Sequence, residues 1–311
     1  MSGLDLLYAS RDAARADEYR RRYGGLKSFG GYDAALADAA AQVAIVATPT
    51  VTHGELTLLA LRAGKHVIVE KPAFMRSADV DVVQAAAKKA GRRVLVAENY
   101  FYKPMAEHLR QVVGAGDLGD VRFVSINATK RQRADDWRGD ASLSGGGALF
   151  EAGVHWINFA ANIGLDVLDV RGYRVSGGTT AGSDRSSLVV LRYANGAVGT
   201  LAHSWELAAP FGGARLSKVQ GTLGAVTFES NGFAYVTTGR RKRFGFPVLS
   251  DPLGYRAMHK DFFDALRGDR PARFTLEMAK RDLQLLEQAE ETMAGVQRVI
   301  PGAATDLLRA R

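Results

Sequence analysis

The stretch Val43-Ala44-Ile45-Val46-Ala47, followed by His66-Val67-Ile68-Val69 and then by Val94-Leu95-Val96-Ala97, decides the fold. Each run is apolar throughout instead of alternating, which suits a strand covered on both faces. Helical patterns separate them: Glu55–Ala63 stopped by Gly64, and Asp79–Ala90 with Ser77 as its expected N-cap and Gly91 as its stop. Buried strands alternating with helices build a parallel, doubly wound sheet, the architecture of a Rossmann domain. Upstream, Leu4–Ala9 reads as a further strand and Asp12–Tyr23 as a helix ended by Gly24-Gly25, with a short helix from Asp33.

Beyond about residue 120 the pattern changes. Val121–Ala128 is a long strand-like run, and a helix is expected around Ala148–Asn162 after Gly145-Gly146-Gly147. Ser187–Tyr193 and Ala197–Trp205 flank Asn195-Gly196, and Ala225–Glu229 and Phe233–Thr237 flank Asn231-Gly232, two strong hairpin signals. Amphipathic helices at Tyr255–Leu266 and Leu276–Met293 follow. The expected fold class is therefore α/β: a Rossmann domain over 1–98, then an α+β domain over 99–311 with an open, mainly antiparallel sheet.

The 311 residues, 47% hydrophobic and 24% charged, supply ample core for two domains. The absence of cysteine excludes disulfides and thiolate metal sites, and no metal is expected. The net charge of +8 is scattered, with runs only at Arg20-Arg21-Arg22 and Arg240-Arg241-Lys242-Arg243, so neither nucleic acid nor membrane is an expected partner. No signal-peptide pattern opens the chain, and a cytoplasmic location is expected.

Three constellations carry chemistry. Glu70-Lys71-Pro72 directly follows a strand, at the sheet edge where ligands of open parallel sheets bind. An ammonium there can stabilise a developing alkoxide or exchange a proton, or it can be half of a surface ion pair. In the expected helix after the triple glycine, Glu151 and His155 stand at i and i+4. They could be an oriented acid–base histidine or an ordinary helix-surface contact. Thr48-Pro49-Thr50-Val51-Thr52-His53 places small polar groups and a helix start at the same edge, for a nucleotide or for simple capping.

Taken in order, these blocks, with Ala63-Gly64-Lys65-His66-Val67 and Gly221-Thr222-Leu223-Gly224, resemble the signature of the Gfo/Idh/MocA oxidoreductases over nearly the whole chain. The resemblance implies reversible oxidation of a sugar or cyclitol hydroxyl with NAD(H) or NADP(H). It implies Lys71 and His155 as the proton-handling pair with Glu151 beside them, and Thr48, Pro49, His53, Glu70 and Lys71 against the cofactor. Tyr100 and Trp137 are expected to touch substrate. Relatives pair through the second sheet, so a homodimer or homotetramer is expected.

Departures from the family pattern are Glu151 and Asn158 where aspartate is usual, and the start of the chain. Leu4–Ala9 matches the family's second strand, and its first strand and G-x-G-x-x-G turn are not in the sequence. A chain so built is expected to bind the cofactor poorly, and a non-catalytic nucleotide- or sugar-binding relative is the alternative function. Ser10 and Arg11 at the end of Leu4–Ala9 stand where an NAD site usually has an acidic residue. They suit a 2′-phosphate and favour NADP, unless Ser10 only caps the helix.

Overall fold

The computed structural model describes residues 4–132, 146–175, 184–208, 214–239, 242–247, 250–268 and 270–294. β1 (Leu7–Ala9) leads into α1 (Ala13–Tyr23), then β2 (Lys27–Phe29) and α2 (Tyr32–Ala37). β1 and β2 pair in parallel as a two-stranded sheet. The expected strand at Leu4–Ala9 is thus shorter than its apolar run. Asp12, not Ser10, caps α1, its carboxylate accepting from the N–H groups of Ala14 and Arg15.

β3 (Val43–Val46), α3 (His53–Arg62), β4 (His66–Glu70), α4 (Ser77–Ala90) and β5 (Val94–Ala97) build the three-stranded parallel sheet in the order β3-β4-β5. Val67, Ile68, Val69 and the four residues of β5 are all buried, as apolar runs covered on both faces require. β1 and β3 do not pair; they belong to separate sheets, and Ile45 of β3 is 59% exposed. The N-cap of α4 is Arg76, so Ser77 is the first helical residue instead of the cap. Ser77 has other partners: its N–H and hydroxyl both donate to the Glu287 carboxylate.

α5 (Pro104–Gly114), with proline pre-set at its first position, joins this unit to an eight-stranded sheet. Its strands are β6 (Val121–Thr129), β7 (Val167–Arg174), β8 (Ser186–Tyr193), β9 (Val198–Ser204), β10 (Leu216–Gly221), β11 (Ala225–Glu229), β12 (Tyr235–Thr238) and β13 (Arg243–Gly245). Their order is β13-β12-β11-β10-β6-β9-β8-β7, antiparallel except for the parallel pair β6–β9. Both hairpins form as expected, with Gly196 and Gly232 at positive φ. Val189 and Leu191 of β8 are buried, under α6 (Val154–Ala161) and α8 (Leu276–Ala294), which follows α7 (Tyr255–Arg267). Leu188 and Val190 lie on the opposite, partly exposed face. Between α8 and α4 run Lys280–Asp81 and Gln84–Glu277 contacts beside the Ser77–Glu287 pair, tying the two sheets together.

Among the described residues no helix is long and apolar enough to cross a membrane.

Candidate active site

Three strand ends create the site. β3 runs into Thr48-Pro49, β4 into Lys71 and β5 into Glu98, all at the carboxyl edge of the parallel sheet. That is where the crevice of an open parallel sheet lies. The other wall is the segment Leu149–Gly153, a π-helical turn that opens α6. The expected regular helix is therefore absent at this point, and the i, i+4 spacing of Glu151 and His155 does not define a shared α-helical face. Asp184 fixes the turn, its backbone carbonyl accepting from Ala148 N–H and its carboxylate from Leu149 N–H. A Cβ on Gly147 would sit 1.9 Å from the Asp184 carboxylate, which explains the glycine there.

Lys71 reaches across to this turn. Its ammonium donates to the Glu151 carbonyl at 3.0 Å and lies 3.4 Å from the Glu151 carboxylate. Glu151 is buried, so the ion pair is shielded from water. His155, with a side chain only 15% exposed, places Nδ1 2.7 Å from Oε1 of Glu98. A carboxylate can only accept, so Nδ1 carries the proton and Nε2 keeps its lone pair. Burial pushes the His155 pKa down, against the upward pull of Glu98, with Lys71 lowering it further and Glu151 raising it. The ring is thus held neutral, and its Nε2 makes no hydrogen bond among the described residues.

The orienting carboxylate expected at Glu151 is therefore Glu98. Glu151 remains within electrostatic reach of His155 but its carboxylate faces Lys71. Nothing in the local sequence points to Glu98; its position directly after the buried run of β5 is the one signal that could have found it. Tyr100, expected against substrate, stacks on the His155 ring with centroids 4.4 Å apart, while Glu98 also accepts from Tyr100 N–H. Trp137 lies outside the described residues.

The loop after β3 is held from within. His53 is buried, with Nε2 2.8 Å from the Thr48 carbonyl and Nδ1 2.9 Å from the Pro72 carbonyl. One contact is a hydrogen bond in the neutral ring and both are in the imidazolium. Both nitrogens face protein carbonyls, so His53 clamps the Thr48 and Lys71 loops together. The Thr48 and Thr52 hydroxyls share a hydrogen bond of 2.6 Å, and the buried Thr50 hydroxyl has no partner among the described residues. Glu70 accepts from Lys71 N–H. Ser10 accepts from Asp12 N–H at the end of β1, with Arg11 exposed beside it.

These groups fit the two ends of a dinucleotide. The Thr48 and Thr52 hydroxyls stand at the strand edge that also carries Lys71, and an exposed guanidinium stands at the end of β1.

Two family models match: "Oxidoreductase family, NAD-binding Rossmann fold" over residues 7–98, and the GFO/IDH/MocA C-terminal domain over 106–227. The chain is similar to trans-1,2-dihydrobenzene-1,2-diol dehydrogenase of Mus musculus, 29% identical over 79% of this chain and 73% of that protein. It is 35% identical to dTDP-3,4-didehydro-2,6-dideoxy-alpha-D-glucose 3-reductase of Streptomyces violaceoruber over 59% of this chain and only 53% of that one. Among solved structures, GenD2 from gentamicin A biosynthesis in complex with NAD superposes with a TM-score of 0.80 at 25% identity, covering 94% of this chain and 87% of GenD2. With both halves matched in order around one crevice, the chain belongs to the Gfo/Idh/MocA family of oxidoreductases.

Proposed function

We propose that the chain transfers a hydride between a nicotinamide dinucleotide and a sugar or cyclitol, interconverting a hydroxyl and a carbonyl. The observation that carries this reading is the pairing of His155 with Glu98 beside Lys71 and Glu151, at the carboxyl edge of an NAD-binding fold. A bound nicotinamide supplies the hydride acceptor or donor. Lys71 holds the reacting oxygen and stabilises negative charge on it. His155 takes the hydroxyl proton on the nitrogen that Glu98 leaves free, and returns it in the reverse direction. Enclosure of His155 keeps it neutral at neutral pH, the form a base needs. Arg11 and Ser10 favour NADP over NAD, because a guanidinium pairs with a 2′-phosphate and no carboxylate is aimed at the ribose from Ser10 or Arg11.

The reading extends to self-association through the outer face of the eight-stranded sheet. Cross-strand register puts Phe123, Val198, Val236 and Phe244 on that face, all exposed. Two exposed apolar pairs on one sheet face, Phe123 with Val198 and Val236 with Phe244, fit a partner surface.

The experiment is a fluorescence titration with NADH and NADPH, followed by turnover of a sugar and cyclitol panel with both oxidised cofactors. Dinucleotide binding with turnover of at least one polyol is the expected result. Binding with no turnover across the panel overturns the catalytic reading and leaves a binding protein.

A further inference from the structure

We propose that the substrate of this site is an anionic carbohydrate, one whose carboxylate or phosphate is received by Lys130 and Arg215 on the sheet wall of the crevice. The inference rests on the oxidoreductase reading above and narrows its substrate class. Lys130 directly follows β6, held by its own N–H on the Ser204 carbonyl at 2.8 Å. Its ammonium has no hydrogen-bond acceptor among the described residues, yet it acts electrostatically on Arg215, Glu151 and Lys71. Arg215, just before β10, donates to the Thr129 carbonyl at 3.0 Å and to Asn231 at 2.7 Å. Its Nε is buried with no partner among the described residues.

A third cation lies behind this wall. Lys103 is 1% exposed, and its ammonium sits 4.0 Å from the centroid of the Tyr100 ring and 5.5 Å from that of Trp156. Arg215 faces the same Trp156 ring at 5.7 Å. The nearby carboxylates are already engaged: Glu98 by His155, Glu151 by Lys71, and Glu229 by Asn231. Lys71, Lys103, Lys130 and Arg215 stand against Glu70, Glu98, Glu151 and Glu229; three of the carboxylates are held by side chains and Glu70 accepts from the Lys71 N–H, while the Lys130 ammonium is left without an acceptor among the described residues. A half-buried ammonium without a protein acceptor, beside a guanidinium whose Nε has none, is suited to draw in an anion. Titrations agree. Burial, then Lys130 and Arg215, drive His203 down to about 3, and burial brings Lys103 down to about 8. Lysine and arginine are the side chains that receive carboxylate and phosphate by charge-assisted hydrogen bonds.

The test is calorimetric titration of the full chain, with and without NADH, using D-glucuronate, D-galacturonate and D-glucose 6-phosphate against D-glucose, D-galactose and myo-inositol. At least one anionic sugar is expected to bind ~10-fold or more tightly than its neutral counterpart, with a preference that weakens as salt rises. The uronates and the phosphate tell carboxylate from phosphate recognition. Lys130→Met is expected to remove most of the preference and Lys130→Arg to keep it. Equal binding of neutral and anionic sugars, no measurable binding of any, or a preference unchanged in Lys130→Met overturns the inference. Turnover with NAD and NADP separates the two readings. An anionic preference without turnover upholds this inference and overturns the oxidoreductase reading. Turnover of neutral sugars with no anionic preference does the reverse.

Discussion

Glu98 and His155 meet at 2.7 Å although 57 residues separate them in the chain. One ends the last parallel strand of the nucleotide-binding sheet, and the other lies in α6, on the opposite side of the crevice. The pair fixes the tautomer and orientation of a histidine that enclosure alone would leave neutral but unoriented.

Glu98→Gln is expected to lower turnover ~10–100-fold, less than the ~100–10,000-fold of a whole general-base contribution because the His155 ring itself remains. The sign of the accompanying pH effect follows from the charges on His155. A base works in its neutral form, so the rate rises as pH climbs through the His155 pKa. Glu98 raises that pKa against burial, so removing its charge moves the acid limb of kcat/KM to lower pH. A pH–rate profile identical to that of the wild type would show that Glu98 does not act through His155.

Lys71→Ala removes the ammonium that bridges the crevice to the Glu151 turn. Turnover is expected to fall ~100-fold or more, while NADH affinity, read by fluorescence, changes little. Wild-type turnover in a folded preparation would take Lys71 out of the chemistry.

Arg11→Ala tests the cofactor preference. The exposed guanidinium at the end of β1 is expected to contribute ~1.5–3 kcal/mol to a 2′-phosphate. NADPH affinity should then drop ~10–150-fold while NADH affinity stays nearly constant. Equal losses for the two cofactors would mean that Arg11 does not read the 2′ position.

The apolar outer face of the eight-stranded sheet predicts a dimer or tetramer by light scattering at micromolar concentration. Phe123, which is 60% exposed, is its central probe: Phe123→Glu should shift the population toward monomer. A wild-type protein that is monomeric throughout this range would remove the interface from this face.

Asp282 gives a stability prediction. Burial pushes its carboxyl up to about 6, opposed by Arg281 and by the Asn158 amide that donates to it at 2.6 Å. A raised carboxyl pKa means that the folded chain keeps its proton at a pH where the unfolded chain has released it. The contribution to stability is therefore greatest below the unfolded pKa and declines as pH rises from about 4 to about 6, by about 3 kcal/mol in all. Asp282→Asn should flatten that part of the melting-temperature profile, and parallel profiles would count against it.

Much of the architecture is legible without coordinates because β3, β4 and β5 are apolar on both faces and β8 and β9 are joined at Asn-Gly. Local pattern fails where side chains are mixed. Lys27-Ser28-Phe29 forms a strand only because β1 lies alongside it. The π-helical turn at Leu149–Gly153 is set by Asp184, a residue far along the chain that no helical periodicity anticipates.

The same division runs through the site. By itself the sequence determined which chemistry-bearing residues stand at strand ends, Lys71 after β4 and the Thr48-Pro49 loop after β3, because strand and motif are contiguous. It also determined the family, because the blocks occur in a fixed order. Only the tertiary structure decided that Glu98 pairs with His155, that Glu151 answers Lys71, that His53 clamps two loops, and that Lys103, Lys130 and Arg215 crowd one wall. Each of these is a contact between residues on different elements. Its strength depends on burial and on the distance between charges, which no spacing along the chain encodes.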